Sequence, residues 1–443
     1  MVSIARVLLI ASSDEAAGPL SSGLDALGWR TLTAYSVDAA IAALSDMNIE
    51  AVVLDLSDAS LIEATDAVRE AAGARRLAMV GFNAGEGAAA GIHVLDLCMA
   101  GMPHPAQLAL RLEQLVRAAV TEEELLVRRA TFAEHGASLA DPHSDTAPIR
   151  VLAVGAADRR FLALSNALND LGAVTVAALT PYTAFDYLHE SAFDAVVLWG
   201  ASDHTQALSI ATGMKRNTRL YHIPSVLYLR RPEDLNLSEI YNRGISDVAT
   251  VETSEAETAA RIMTLARSYR RQQATRRALD QARGSGLMDK TTGLFTLPLF
   301  AAHLSSLTRS ARERGRTLSV AVLKVSDSPE VASARRGGWL GRAMPQIGAM
   351  ISRLVRSEDT AARLSEEVFA LALPATREGA ARLAAERIAA VIGCTAFDAG
   401  EDKPPFVVEL VTGVAEIRPG ESASELLERA AATLAAPTAA AEA

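Results

Sequence analysis

The tetrapeptide Arg356-Ser357-Glu358-Asp359 sets a guanidinium three residues from a carboxylate, and Arg387 supplies a second guanidinium further along. An arginine fork can bridge phosphate oxygens or the acceptor edge of a base, and a carboxylate can accept from a base N–H. Taken alone, such a tetrapeptide describes a surface ion pair worth ~0–1 kcal/mol equally well. Two other carboxylates stand where chemistry is conceivable. Asp55 closes the aliphatic run Ala51-Val-Val-Leu54 as a candidate phosphoacceptor, and Glu367, within Ser365-Glu366-Glu367-Val368-Phe369, could face a metal ion. The plainer readings are an aspartate capping backbone donors at a strand end and an exposed turn carboxylate.

These residues need elements to position them. Two segments repeat one plan: a short aliphatic strand (Val7 to Ile10, Val151 to Val154), a helical stretch, and a second strand (Ala51 to Leu54, Ala195 to Leu198) about 45 residues on. Continuous β-branched runs of this kind suit central parallel strands covered on both faces, so each segment predicts a doubly wound α/β sheet. Thr121 to Arg129 reads as a charged helix, and residues 121–148 as a linker with Pro, Ser and Asp in its later part. A helix over 259–283 carries Arg261, Arg267, Arg270, Arg271, Arg276, Arg277 and Arg283, which reads as a solvated face, before Gly284-Ser285-Gly286 breaks it. Beyond it, strands are expected at Leu318 to Val325, Val368 to Leu373 and Phe406 to Val414. Helices are expected at Met344 to Val355, Arg377 to Ile392 and Ser422 to Leu434. The Ala/Pro-rich tail is expected to be disordered.

Composition narrows the classes. The chain has 443 residues, enough for about three domains, and 53 acidic against 43 basic residues. A net charge of −10 argues against broad capture of nucleic acid or anionic lipid. Cys98 and Cys394 are far apart and fit neither a disulfide framework nor a zinc site. The apolar run near the start is too short for a signal peptide, and no stretch approaches the ~18 apolar residues of a membrane span, so a cytoplasmic protein with no membrane insertion is expected.

Residues 5–120 and 149–270 resemble response-regulator receiver domains. In that family an acidic pair binds magnesium, a strand-end aspartate accepts phosphate, and a Thr/Ser and a Lys sense it. The first repeat matches only at Asp55: Ala11 and Ser12 replace the acidic pair, Gly81 the Thr/Ser, and Cys98 the Lys. The second has Gly155 and Ala156, then Trp199, Leu229 and Val251 at these positions. It is expected to serve as an adaptor or dimerisation module, with Trp199 in a core or interface.

Asp289-Lys-Thr-Thr-Gly-Leu294 is similar to the opening motif of GGDEF domains. Ser365 to Phe369, 76 residues later, stands at the signature position. The resemblance runs over about 145 residues, closing with Val411 to Ala415 and Glu421 to Ala430. It implies a cyclase site that has been lost. Lys324 and Ser326 occupy the aspartate positions of the metal-binding strand, and Ser365 and Glu366 replace the glycines that let nucleotide approach. No catalytic residues, no metal ligands and no magnesium-dependent catalysis are therefore expected. Arg356 to Asp359 begins nine residues before the signature, where the family binds cyclic di-GMP at an Arg-x-x-Asp site, and Arg387 falls at a second ligand arginine.

The domain plan is thus receiver-like 1–120, linker 121–148, receiver-like 149–272, helical linker 273–287, degenerate GGDEF 288–435 and tail 436–443. Similarity to degenerate receiver–receiver–GGDEF response regulators implies a homodimeric cell-cycle adaptor for cyclic di-GMP, located at a cell pole. It also implies regulated proteolysis through the regulator CtrA, the mediator RcdA and the ClpXP protease. A residual cyclase and a scaffold driven by phosphorylation of Asp55 are the alternatives.

Overall fold

A computed structural model describes residues 6–83, 94–99, 101–139, 141–142, 147–201, 204–231, 235–281, 286–400 and 403–434. Arg283, Gly284, Ser285 and the tail beyond Leu434 lie outside the described residues.

The first domain runs β1 (Arg6–Ile10), α1 (Asp14–Ala26), β2 (Arg30–Ala34), α2 (Val37–Asp46), β3 (Ala51–Asp55), α3 (Ala59–Glu63), α4 (Thr65–Ala71), β4 (Ala78–Phe82), β5 (Leu97–Cys98) and α5 (Pro105–Glu134). Its five strands are all parallel in the order β2-β1-β3-β4-β5, an arrangement of the doubly wound type. Alternate side chains face opposite layers. Val7, Leu9 and Val53 meet Leu20 and Leu24 of α1 and Leu108 and Leu112 of α5. Leu8, Ile10 and Val52 meet Leu44 of α2 and Val68 of α4.

The second domain repeats this with β6 (Ile149–Val154), α6 (Arg159–Asp170), β7 (Ala173–Ala178), α7 (Pro181–Glu190), β8 (Ala195–Trp199), α8 (His204–Arg216), β9 (Ser225–Leu229), α9 (Leu237–Asn242), β10 (Asp247–Thr250) and α10 (Glu255–Gln281). The strand order β10-β9-β8-β6-β7 is the same parallel arrangement.

The third domain comprises β11 (Phe295–Thr296), α11 (Leu297–Arg314), β12 (Leu318–Val325), α12 (Pro329–Arg336), α13 (Leu340–Leu354), β13 (Thr360–Arg363), β14 (Val368–Pro374), α14 (Glu378–Gly393), β15 (Ala396–Phe397), β16 (Phe406–Val407), β17 (Leu410–Glu416) and α15 (Ala423–Ala432). Its sheet, β11-β13-β14-β12-β17, is antiparallel except at the β11–β13 edge. The strand expected over Phe406 to Val414 is split, because Phe406–Val407 pairs instead with Ala396–Phe397 in a separate ribbon.

Residues 121–134 are no free linker. They are the second half of α5, a 30-residue helix whose apolar stripe continues past the first domain. Leu125, Val127 and Phe132 enter the core layer of the third domain beside Phe300, Leu304 and Leu426. Phe132 meets the Phe295 ring edge-on at 5.7 Å. Residues 273–281 likewise belong to α10, and Ala278 and Leu279 join the same layer. Polar groups of α5 also dock the second domain: Gln107 donates to Asp247 at 2.6 Å, and Arg111 donates to the Ser246 carbonyl. One helix therefore touches all three domains.

Three of the arginines of α10 are paired with carboxylates of other elements. Arg261 forks onto Asp247, Arg270 onto Asp194, and Arg271 lies 3.7 Å from Glu122. The charge run was read as a surface face because its carboxylate partners lie in other elements.

Candidate functional site

At the carboxyl end of β3, Asp55 is buried and accepts from the Ser57 N–H and the Asn83 amide, both at 3.1 Å. Asp14, the first acidic residue after β1, accepts from the Tyr35 hydroxyl at 2.9 Å. The Asp55 carboxylate thus caps its own loop, as a strand-end aspartate does. In the second domain the equivalent crevice is filled by aromatic rings. Trp199 stacks on Tyr228 with centroids 3.8 Å apart, meets Phe161 edge-on, and donates its indole N–H to Asp158 at 3.3 Å. Gly155, at φ +139°, lets the loop close over this pair, since a Cβ there would come within 2.8 Å of the Trp199 carbonyl.

In the third domain Ser365, Glu366 and Glu367 form the β13–β14 turn, with Val368 and Phe369 opening β14. Arg363 holds the turn from below, donating to the carbonyls of Ser365 and Glu366 and to Asp289 of the opening motif. Glu367 is not a free carboxylate. Arg335 of α12 forks onto it at 2.8 and 2.6 Å and also reaches Asp327 at 3.2 Å. Lys324, on β12 opposite Val368, adds another cation on the same side. The space beside the signature carboxylate is thus charge-balanced by the chain's own side chains. Among the described residues no group of three or more His, Cys, Asp and Glu is arranged to hold a metal ion.

Arg356, Asp359 and Arg387, 31 residues apart at the extremes, converge. They line one cleft of about 250 Å³ between the end of α13, the loop before β13 and the outer face of α14, with Leu354, Leu383 and Ala384 as apolar wall. The loop forms because Asp359 folds back on it: its Oδ2 accepts from the Arg356 N–H at 2.9 Å, and its own N–H donates to the Arg356 carbonyl. The other oxygen, Oδ1, is buried with no hydrogen-bond partner among the described residues. Burial first, and then the adjacent Glu358 carboxylate, push the Asp359 carboxyl up to about 7. Both guanidinium groups are exposed, Arg387 donating to the Leu354 carbonyl at 3.1 Å. A buried acceptor lacking a donor, flanked by two exposed forks, suits an anionic ligand that also carries N–H groups.

Sequence reasoning missed what holds this loop from behind. Arg128 of α5 donates to the Thr360 hydroxyl at 2.8 Å and to the Asp359 carbonyl at 3.4 Å. Glu124 accepts from Arg128 and sits 2.9 Å from His303, all three buried. Arg117 reaches Glu358 at 3.4 Å. Near the foot of α5, Arg316 forks between Glu123 and Glu50 and so ties the third domain to the first. The available signal was the Glu124/Arg128 spacing of one helical turn beside Leu125 and Phe132, which continues the stripe of Leu108, Leu112 and Leu115.

Residues 286–440 match the family model described as diguanylate cyclase, GGDEF domain. This C-terminal part is a GGDEF domain. Among curated proteins none matches the chain. Among solved structures, similarity extends to the GGDEF domain of DgcB from Caulobacter crescentus in complex with c-di-GMP, at 23% identity and a TM-score of 0.31, covering 34% of this chain and 86% of that one. The FimX GGDEF domain from Pseudomonas aeruginosa is similar at 17% identity and 0.31, covering 33% and 91%. The diguanylate cyclase SiaD of the same organism, in complex with its activator SiaC, is similar at 25% and 0.32, covering 46% and 72%. No helix among the described residues is long and apolar enough to cross a membrane.

Proposed function

We propose that this chain is a non-catalytic receptor for cyclic di-GMP, in which two receiver domains stripped of their phosphotransfer parts flank and support a GGDEF domain that senses rather than makes the dinucleotide. The observation that carries the reading is the convergence of Arg356, Arg387 and the unpartnered Asp359 Oδ1 on one cleft, set against the capture of Glu367 by Arg335. In the bound state guanine N1 and N2 would donate to Asp359, and the two guanidinium groups would meet phosphate oxygens and stack against the bases. Both aspartate positions of the metal-binding strand hold a cation or an alcohol, Lys324 and Ser326, so that strand supplies no carboxylate to help activate a 3'-hydroxyl.

The loop that carries Asp359 is also the loop held by α5, so ligand there biases how the third domain sits on the first. That linkage supports an adaptor whose partner binding follows its nucleotide state. The receiver–receiver–GGDEF order is that of the cyclase PleD and its degenerate paralogue PopA. Likeness to the latter underlies the proposed homodimer, polar location and delivery of CtrA through RcdA to ClpXP.

Titration calorimetry of the full chain with cyclic di-GMP, GTP and GDP at equal magnesium tests the reading. Cyclic di-GMP should bind, and Arg356→Gly should abolish that binding with the thermal melt intact. Unchanged affinity in the variant would defeat the assignment.

A further inference from the structure

A second cavity, of about 310 Å³, lies between α5, the second domain and α10. It has no part in the function proposed above, though its Arg117 also lies 3.4 Å from Glu358 in the loop of the Asp359 cleft. Its walls bring together cations from three elements: Arg111 and Arg117 of α5, Lys215 with His222 from the second domain, and Arg276 of α10. Glu122 is the one carboxylate on the wall, and it is already shared by Arg76 at 3.1 Å and Arg271 at 3.7 Å. Asp247, behind Arg111, is taken by the Arg261 fork and by Gln107. Arg276 has no ion pair among the described residues, and Lys215 is aimed by a single bond to the Tyr221 carbonyl at 2.8 Å.

Such crowding is unfavourable, and the groups respond to it. Burial and then Arg111 lower the Lys215 ammonium to about 8. Burial, then Arg276, Arg117 and Lys215, lower His222 to about 4. Deprotonation of His222 relieves part of this crowding, and an anion bound between Lys215 and Arg276 would relieve the rest. The size is at the lower end of small-ligand pockets, and Tyr269 together with the Tyr221 and His222 rings, tilted at 36° with centroids 3.6 Å apart, offers ring faces to a base.

We infer that this interdomain cavity is a binding site for a nucleoside phosphate, its phosphates held by Lys215 and Arg276, with Arg117 shared between them and Glu358, and its base laid against the aromatic rings. The site would cement the second domain onto α5, since its cations come from both sides.

Titration calorimetry of the full chain with GDP, with pyrophosphate and with guanosine separates the contributions. GDP and pyrophosphate should each give a saturable heat at one site per chain, and guanosine none. Near pH 8.5, binding should take up protons, read as a dependence of the heat on buffer ionisation enthalpy, because a phosphate anion restores the charge on Lys215. Lys215→Met and Arg276→Gln, each made singly at partly exposed positions, should weaken GDP at least tenfold while the melt stays cooperative. Absence of saturable heat with both GDP and pyrophosphate, or GDP affinity unchanged in both variants, would overturn the site.

Discussion

The Arg128 guanidinium, on the last helix of the first domain, donates to the Thr360 hydroxyl at 2.8 Å, one residue beyond the buried carboxylate of Asp359. This bond crosses 232 residues of sequence. It places a first-domain side chain directly under the loop that a ligand would touch from above.

The same guanidinium neutralises Glu124, which is buried and also faces His303. Removing one member of a buried ion pair leaves the other uncompensated, at a cost of about 3–5 kcal/mol. Arg128→Met should therefore lower the midpoint of chemical denaturation markedly. Combining it with Glu124→Gln should recover part of the loss. A double variant as unstable as the sum of the singles would show that the two groups do not depend on each other.

Acidity should tune ligand affinity through Asp359. Its carboxyl sits near 7, so below that pH it is mostly protonated and loses acceptor capacity toward guanine N–H donors. Binding must then expel the proton. Cyclic di-GMP affinity should fall by up to about tenfold per pH unit as pH drops below 7, and level off above about 8. Calorimetry across that range checks this, and a flat profile would remove Asp359 from the contact.

Stability should respond in the opposite sense. Because the folded-state value exceeds the ordinary 3.8, the folded chain holds the extra proton between about 4 and 7. Stability due to this group is present at the acidic end and declines as pH rises through 7. Asp359→Asn keeps an oxygen for the Arg356 N–H and removes the buried charge. It should raise stability near pH 8 by about 1–3 kcal/mol, the usual cost of an unsatisfied buried polar group, while weakening the ligand. Denaturation at pH 5 and at pH 8 would distinguish this from a general loosening, which would lower both.

Much of this was legible in the sequence because it is local. Val7 to Ile10 and Ala195 to Leu198 are continuous aliphatic runs, and such runs become the central strands of covered parallel sheets. Arg356, Asp359 and Arg387 were found by their register against Ser365 to Phe369. What the sequence hid is non-local pairing. Glu123, Glu124 and Arg128 look like the polar face of a linker helix until Arg316, His303 and Thr360, nearly two hundred residues away or more, arrive to bury them. Arg261, Arg270 and Arg271 of α10 read as a solvated face for the same reason. A charge run reports its own solvation only when its partners are close in sequence.

Arg117 should act on the cleft without touching the ligand. It lies 3.4 Å from Glu358 and lowers the Asp359 carboxyl, opposing the push of Glu358. Replacing it by Met leaves Glu358 uncompensated and moves Asp359 further up. Cyclic di-GMP binding at pH 7 should weaken a few-fold, about 2–5, within the range expected of a half-exposed pair, and recover near pH 8.5. A loss that persists at the higher pH would mean that Arg117 contacts the ligand or shapes the loop instead.

The final prediction concerns catalysis. A magnesium ion brought to Glu367 must displace the Arg335 fork, and its other expected contacts are Lys324 and Ser326, a cation and an alcohol. Displacing the fork costs a bidentate charge-assisted pair and leaves Lys324 beside the site, a cation that opposes two metal ions on an anionic triphosphate. Incubation with GTP and magnesium should therefore yield no cyclic dinucleotide by chromatography. Arg335→Ser should not restore it, since freeing Glu367 and Asp327 leaves Lys324 and Ser326 at both aspartate positions of the metal-binding strand. Product from the unaltered chain would show that the remaining groups suffice and that the domain makes what it was proposed only to sense.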